Sequence, residues 1–162
     1  MDIWHIRGKR ALEGTCFVQG SKNATLPIIA ASIICPARSE LMNVPQLRDV
    51  DAALRILRHI GCTAEQRGGE VYIDSTYLSC SAIPHELMVE MRSSVIFMGA
   101  LLARCGEARL SLPGGCQLGK RPIDLHLSAL RAMGAEIDED GTEIYCRASR
   151  LHGAEIELPF PS

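Results

Sequence analysis

An internal repeat constrains the fold of this chain more than any other feature of its sequence. Sliding the 162-residue sequence on itself by 73 positions sets Arg48, Asp51, Leu54, Leu57, Arg58, Gly61, Gly68, Glu70 and Tyr72 on Arg121, Asp124, Leu127, Leu130, Arg131, Gly134, Gly141, Glu143 and Tyr145 without a gap. So many identities in one ungapped window mean two copies of one supersecondary unit. In the first copy, apolar residues at 53, 54, 57 and 60 form the stripe of an amphipathic helix over Asp51 to His59, with Gly61 as its C-terminal cap. In the second, a helix is expected from about Pro122 to Met133, with the proline in its first turn and Gly134 past its last. Alternation in Glu70-Val71-Tyr72-Ile73 and Glu143-Ile144-Tyr145-Cys146, behind the turn residues Arg67-Gly68-Gly69 and Asp140-Gly141-Thr142, predicts a hairpin after each helix.

Upstream of each copy lies an apolar segment, Ala24 to Cys35 and Ser93 to Cys105, long enough to form a buried helix. These two match at a shift of 70, which places Lys22 opposite Arg92. A cation stands at the start of both helices, where the positive end of the macrodipole disfavours it unless an anion binds. The change of shift from 70 to 73 puts three extra residues into the second copy, in the loop Pro113 to Lys120. The first copy makes the same connection through Asn43-Val44-Pro45, with no Gly-Gly and no cysteine.

That longer loop belongs to the stretch Leu-Pro-Gly-Gly-Cys-Gln-Leu-Gly-Lys-Arg-Pro-Ile, residues 112 to 123. Read locally, it is either an ordinary Pro-Gly-Gly turn with a small apolar cysteine, or a glycine-rich cradle that holds the Cys116 thiol beside Lys120 and Arg121. Cations favour the thiolate, the reactive form, and backbone N–H groups freed by glycine can surround an anion. A repeat unit has no structural need for such a loop in one copy only, and this favours the functional reading.

Composition limits what else the chain can do. An apolar fraction of 47% with 22% charged residues describes a chain able to bury a core. A net charge of −2 and only 4% aromatic residues speak against nucleic acid or an anionic membrane as partner. The start has no signal-peptide pattern and no run spans a membrane, so a cytoplasmic location is expected. The seven cysteines are odd in number and scattered, and the five histidines have no metal-ligand spacing, so reduced thiols and no metal or cofactor are expected.

Gly20-Ser21-Lys22-Asn23-Ala24, Met91-Arg92-Ser93-Ser94, and above all Leu112-Pro-Gly-Gly-Cys116 with Gly119-Lys-Arg121-Pro-Ile-Asp124-Leu-His126 resemble the enolpyruvyl transferases of early peptidoglycan synthesis, the UDP-N-acetylglucosamine 1-carboxyvinyltransferases. The resemblance runs from Ile6-Arg7-Gly8 to Leu158-Pro-Phe-Pro-Ser162. It implies an α/β (α+β) fold of βαβαββ-type units, of which two of the three expected in one lobe are visible, at about 22–80 and 90–150. It also implies that residues 1–21 pack with a second lobe, that 22–162 form part of the first lobe with the start of a third unit, and that the second lobe is absent. The chain is therefore expected to be an N-terminal portion with little or no activity alone, and the surfaces left uncovered are expected to favour self-association.

The resemblance implies phosphoenolpyruvate and UDP-N-acetylglucosamine as substrates. It places Lys22, Arg92 and Arg121 around the phosphate and carboxylate of phosphoenolpyruvate, Asn23 against reacting groups, and Cys116 as proton donor to the methylene carbon. Arg121, Pro122, Ile123, Asp124 and Leu125 would contact the sugar nucleotide, and Ser162 would open a diphosphate loop. It also implies that the Cys116 sulfur can form a covalent adduct and that the epoxide fosfomycin would label it. Two other readings stay open at this point: transfer to another acceptor such as shikimate 3-phosphate, against which the cysteine loop weighs, and a non-catalytic phosphate- or RNA-binding repeat module.

Overall fold

The computed structural model describes residues 3–9, 11–111 and 123–160. The first unit runs α1 (Lys22–Ala31), β1 (Arg38–Leu41), α2 (Arg48–His59), β2 (Thr63–Arg67) and β3 (Glu70–Asp74). Its three strands form an antiparallel sheet in the order β1-β3-β2. The second runs β4 (Ala82–Ile83), α3 (His85–Glu90), a 3-10 turn (Arg92–Val95), α4 (Ile96–Cys105), β5 (Glu107–Ser111), α5 (Asp124–Ala132), β6 (Glu136–Glu139) and β7 (Glu143–Arg147). Its sheet has the order β4-β5-β7-β6, with β4 parallel to β5 and the other pairs antiparallel. The helical crossover from β4 to β5 makes this unit βαβαββ, the α/β order expected for it.

The repeat is visible in the registers. Leu41 faces Val71 in the first sheet and Leu110 faces Ile144 in the second, a step of 69 on one strand and 73 on the other. The hairpins agree at 73 on both strands, since Thr63 faces Asp74 and Glu136 faces Arg147. Between the equivalent positions Leu41 and Leu110 on the strands and Arg48 and Arg121 in the sequence, the connection therefore gains four residues in the second unit, ten (111–120) against six (42–47). The apolar helices alone gave three; one residue is lost again between helix and strand, where Gly106 with φ +76 turns directly into β5.

Both amphipathic helices end as their glycines predict. Gly61 and Gly134 sit past the last turn at φ +105 and +98, a region open to glycine at little cost. The chain then returns across each of these ends, where the Ser79 amide donates to the Ile60 carbonyl and the His152 amide to the Met133 carbonyl.

In the first unit, element boundaries differ from expectation in α1 and α2. Helix α2 begins at Arg48 rather than Asp51, because Val50 is fully buried and draws the first turn into the core. Helix α1 stops at Ala31, short of Cys35: Ile33 and Ile34 tighten to i−3 hydrogen bonds, and Pro36 disfavours helix at the residue before it. Helix α5 is described from Asp124, so the expected first-turn role of Pro122 lies outside the described residues.

Leu26, Ile29 and Ile33 of the first apolar segment join Leu54 and Leu57 of α2, Phe97 and Leu101 of α4, and the inner strand residues in one continuous core. Helix α1 is not buried all round, however. Pro27, Ile28 (49%) and Ala31 are exposed along its outer side, as are Ile34 (45%) and Cys35 in the turn that follows it.

Candidate active site

Lys22 opens α1, and its place is fixed by what precedes it. The backbone of Gly20 passes so close to the β1–α2 connection that a Cβ there would lie 1.7 Å from the Asn43 carbonyl oxygen. No other residue fits, so glycine at 20 is a packing requirement. That connection is itself held to the hairpin turn, since the Val44 amide donates to the Gly69 carbonyl at 2.8 Å. Ser21 then caps the helix, its Oγ accepting from the Ala24 amide and its carbonyl accepting from both the Thr25 amide and the Thr25 hydroxyl.

The Lys22 ammonium donates to Asp49 Oδ2 at 2.8 Å, with the two side chains 46% and 33% exposed. The first turn of α1 contains no acid of its own. The anion that offsets a cation at this helix end is thus a carboxylate from the first turn of α2, a partner the sequence pattern did not single out. Asn23 is exposed beside Lys22 in the same turn. Its carbonyl lacks the usual i+4 amide donor, because position 27 of α1 is proline.

In the second unit, Arg92 opens the 3-10 turn that leads into α4, and its side chain is outside the described part of the structure. Ile123 is the N-cap residue of α5 and is half-buried; Asp124 is exposed and Leu125 half-buried in the first turn. Cys116, Lys120, Arg121, Pro122 and Ser162 lie outside the described residues. Lys22 and Asn23 therefore share the start of α1 in the first unit, whereas Ile123, Asp124 and Leu125 share the start of α5, the counterpart of α2, in the second.

A surface hollow of about 380 Å³ lies at the start of α2, lined by Gln46, Leu47, Arg48, Asp51, Gln66 and Gly68. Advanced by 73, those positions are Gly119, Lys120, Arg121, Asp124, Glu139 and Gly141. The described thiols divide by burial: Cys16, Cys35 and Cys105 are exposed, Cys80 is half-buried, and Cys62 and Cys146 are buried, where desolvation pushes each thiol up to about 11. Among the described residues no helix is long and apolar enough to cross a membrane, and no group of His, Cys, Asp or Glu could hold a metal ion.

Paired helix–strand–helix–hairpin units, with a lysine fixed at the start of the apolar helix of one unit and a cysteine loop inserted before the amphipathic helix of the other, define an α/β-repeat protein of the enolpyruvyl transferase class. The EPSP synthase (3-phosphoshikimate 1-carboxyvinyltransferase) family model matches residues 6–162, and the chain belongs to that family. UDP-N-acetylglucosamine 1-carboxyvinyltransferase 2 of Caldanaerobacter subterraneus is 45% identical over 162 residues, which are all of this chain and 39% of that protein. UDP-N-acetylglucosamine 1-carboxyvinyltransferase of Oleidesulfovibrio alaskensis is 48% identical over the same span and share. The chain thus spans about two fifths, 39%, of the length of these curated relatives. Among solved structures, the enolpyruvyl transferase NikO from Streptomyces tendae superposes with a TM-score of 0.71 at 23% identity, covering 82% of this chain and 29% of that one. EPSP synthase from Acinetobacter baumannii gives 0.68 at 24% identity, covering 96% and 36%. Both confirm the fold.

Proposed function

We propose that this chain carries part of the site for enolpyruvyl transfer from phosphoenolpyruvate to the 3-hydroxyl of UDP-N-acetylglucosamine, a step of peptidoglycan synthesis. The observation that carries the reading is the insertion between β5 and α5, which is present in the second unit only and contains Cys116. The relatives named for the sugar-nucleotide reaction, at 43% to 48% identity across essentially the whole chain, support this acceptor over shikimate 3-phosphate.

In this reading Lys22, Arg92 and Arg121 hold the phosphate and carboxylate of phosphoenolpyruvate through charge-assisted hydrogen bonds. Cys116 gives its thiol proton to the methylene carbon while the neighbouring carbon bonds the sugar oxygen, whose hydroxyl proton passes to a general base; the C–O bond to phosphate then breaks as a methyl proton returns to the Cys116 thiolate. Asn23 bonds the reacting groups, while Pro122, Ile123, Asp124 and Leu125 with Arg121 receive the nucleotide, and Ser162 its diphosphate. The hollow at the start of α2 supports the nucleotide assignment to Arg121 and Asp124, because its repeat-related positions include both residues. Residues 1–21 belong with a second lobe in this reading, and the exposed apolar side of α1 supports self-association of the chain.

Because the chain spans 39% of those relatives, adduct formation tests the reading more directly than turnover. Incubation with fosfomycin and peptide mapping should place one adduct, on Cys116, that phosphoenolpyruvate prevents and Cys116→Ser abolishes. Labelling of Cys116 no faster than that of exposed Cys16 and Cys35, with no protection by phosphoenolpyruvate, would remove the catalytic assignment.

A further inference from the structure

We propose that Asp49 is a positioning residue, which holds the Lys22 ammonium in place for an oxyanion of phosphoenolpyruvate; the proposal rests on the reading above. The two residues come from the first turns of two packed helices, 27 positions apart in sequence, and meet at 2.8 Å. Stability does not explain the pair. Exposed ion pairs of this kind add little to folding stability, because water screens the attraction and both side chains lose freedom. The second unit forms the same elements with Pro122 at the position equivalent to Asp49, so the fold does not require an acid there.

The chemistry of lysine gives the pair a purpose. Its charge sits on a flexible four-carbon stem, and a bound anion must immobilise that stem. A carboxylate at 2.8 Å occupies one of the three ammonium N–H donors and leaves two for a ligand, with the stem already ordered. Ordering one such side chain in advance is worth roughly 0.5 to 1.5 kcal/mol, or about 2- to 10-fold in affinity. Plain electrostatics predicts the opposite sign, because removing Asp49 makes the surroundings of Lys22 more positive and should tighten anion binding.

The sign can be measured on the chain as it stands. Its three lysines are Lys9, Lys22 and Lys120, so acetylation followed by peptide mass spectrometry resolves each of them, with Lys9 as internal control. Phosphoenolpyruvate should protect Lys22 in the wild type. Asp49→Ala should raise the concentration needed for half-protection about 2- to 10-fold. Asp49→Asn, which keeps an acceptor oxygen, should restore it to within about 2-fold. Unchanged melting temperatures for both variants show that the fold is intact. Protection of the wild type with equal or tighter protection of Asp49→Ala overturns the positioning role and leaves the functional reading standing. No protection of Lys22 in the wild type overturns the reading and the proposal together.

Discussion

Cys62 and Cys146 show how a residue's role follows from what surrounds it. At the repeat shift, Cys62 corresponds to Ala135 and Cys146 to Ile73, and all four side chains are buried at 7% exposure or less. The two cysteines serve as small apolar residues, and their desolvation holds each thiol at about 11. At pH 8 about one such thiol in a thousand is ionised. Iodoacetamide at that pH should therefore modify Cys16 and Cys35 within minutes and leave Cys62 and Cys146 unmodified until denaturant is added. Early modification of either buried thiol, read by peptide mapping, would contradict the packing. The alignment of the two copies already contained this distinction, because an apolar residue stood opposite each of the two. The pairing of Lys22 with Asp49 was not legible in the same way. Acids at 49 and 51 are equally good first-turn residues, and only the packing angle of α1 on α2 decides which of them a lysine can reach.

At the scale of elements, the closest test is at the two helix ends that the repeat makes equivalent. Both Gly61 and Gly134 have positive φ, so alanine at either is strained by roughly 1 to 2 kcal/mol. Their surroundings then separate them. A Cβ at Gly61 would lie 2.6 Å from the Ser79 backbone nitrogen, which is committed to the Ile60 carbonyl and cannot yield. At Gly134 the nearest atom is Nε2 of the exposed His152 side chain at 2.7 Å, and that ring can swing away. Gly61→Ala should cost more than Gly134→Ala by about 1 kcal/mol or more, measured as the difference in urea midpoints at equal slope. Equal costs would mean that strain alone decides both. Both hairpins, both amphipathic helices and the glycine ends could be read from periodicity and the repeat. The early end of α1 and the parallel strand β4 could not, because the first depends on local i−3 bonds before Pro36 and the second on two residues paired across a helical crossover.

The whole molecule should respond to alkali through the same buried thiols. In the unfolded chain they ionise near about 8.5. Folded, they keep their protons up to about 11. The folded state thus binds more protons across that interval, so stability falls as pH rises from about 9 to 11, by about 2 kcal/mol for each thiol, and the thiols have no effect below the window. Urea midpoints of a Cys62→Ala, Cys146→Val variant should change less across the window than those of the wild type; parallel profiles would assign the alkaline loss to other groups.

The opening segment poses the remaining question at this scale. Ile3, Trp4, Ile6, Leu12, Phe17 and Val18 are 78% to 97% exposed, and beyond them Gly20 is locked against Asn43. Side chains this exposed remove almost no apolar surface from water, so they add almost nothing to the stability of the core. Deleting residues 1–18 should accordingly leave the melting temperature within about 2 °C of the full chain. The same six large apolar side chains are left in water along one short segment, so the full chain should self-associate. Sedimentation velocity should show a concentration-dependent shift for the full chain that the deletion reduces. The outer side of α1 and the turn after it, with Pro27, Ile28 and Ile34, stay exposed in the deleted chain, so whatever association remains should respond to Ile28→Lys. A fall of many degrees on deletion would mean that the opening segment packs on the core. A full chain that sediments as a concentration-independent monomer would remove self-association from the proposal.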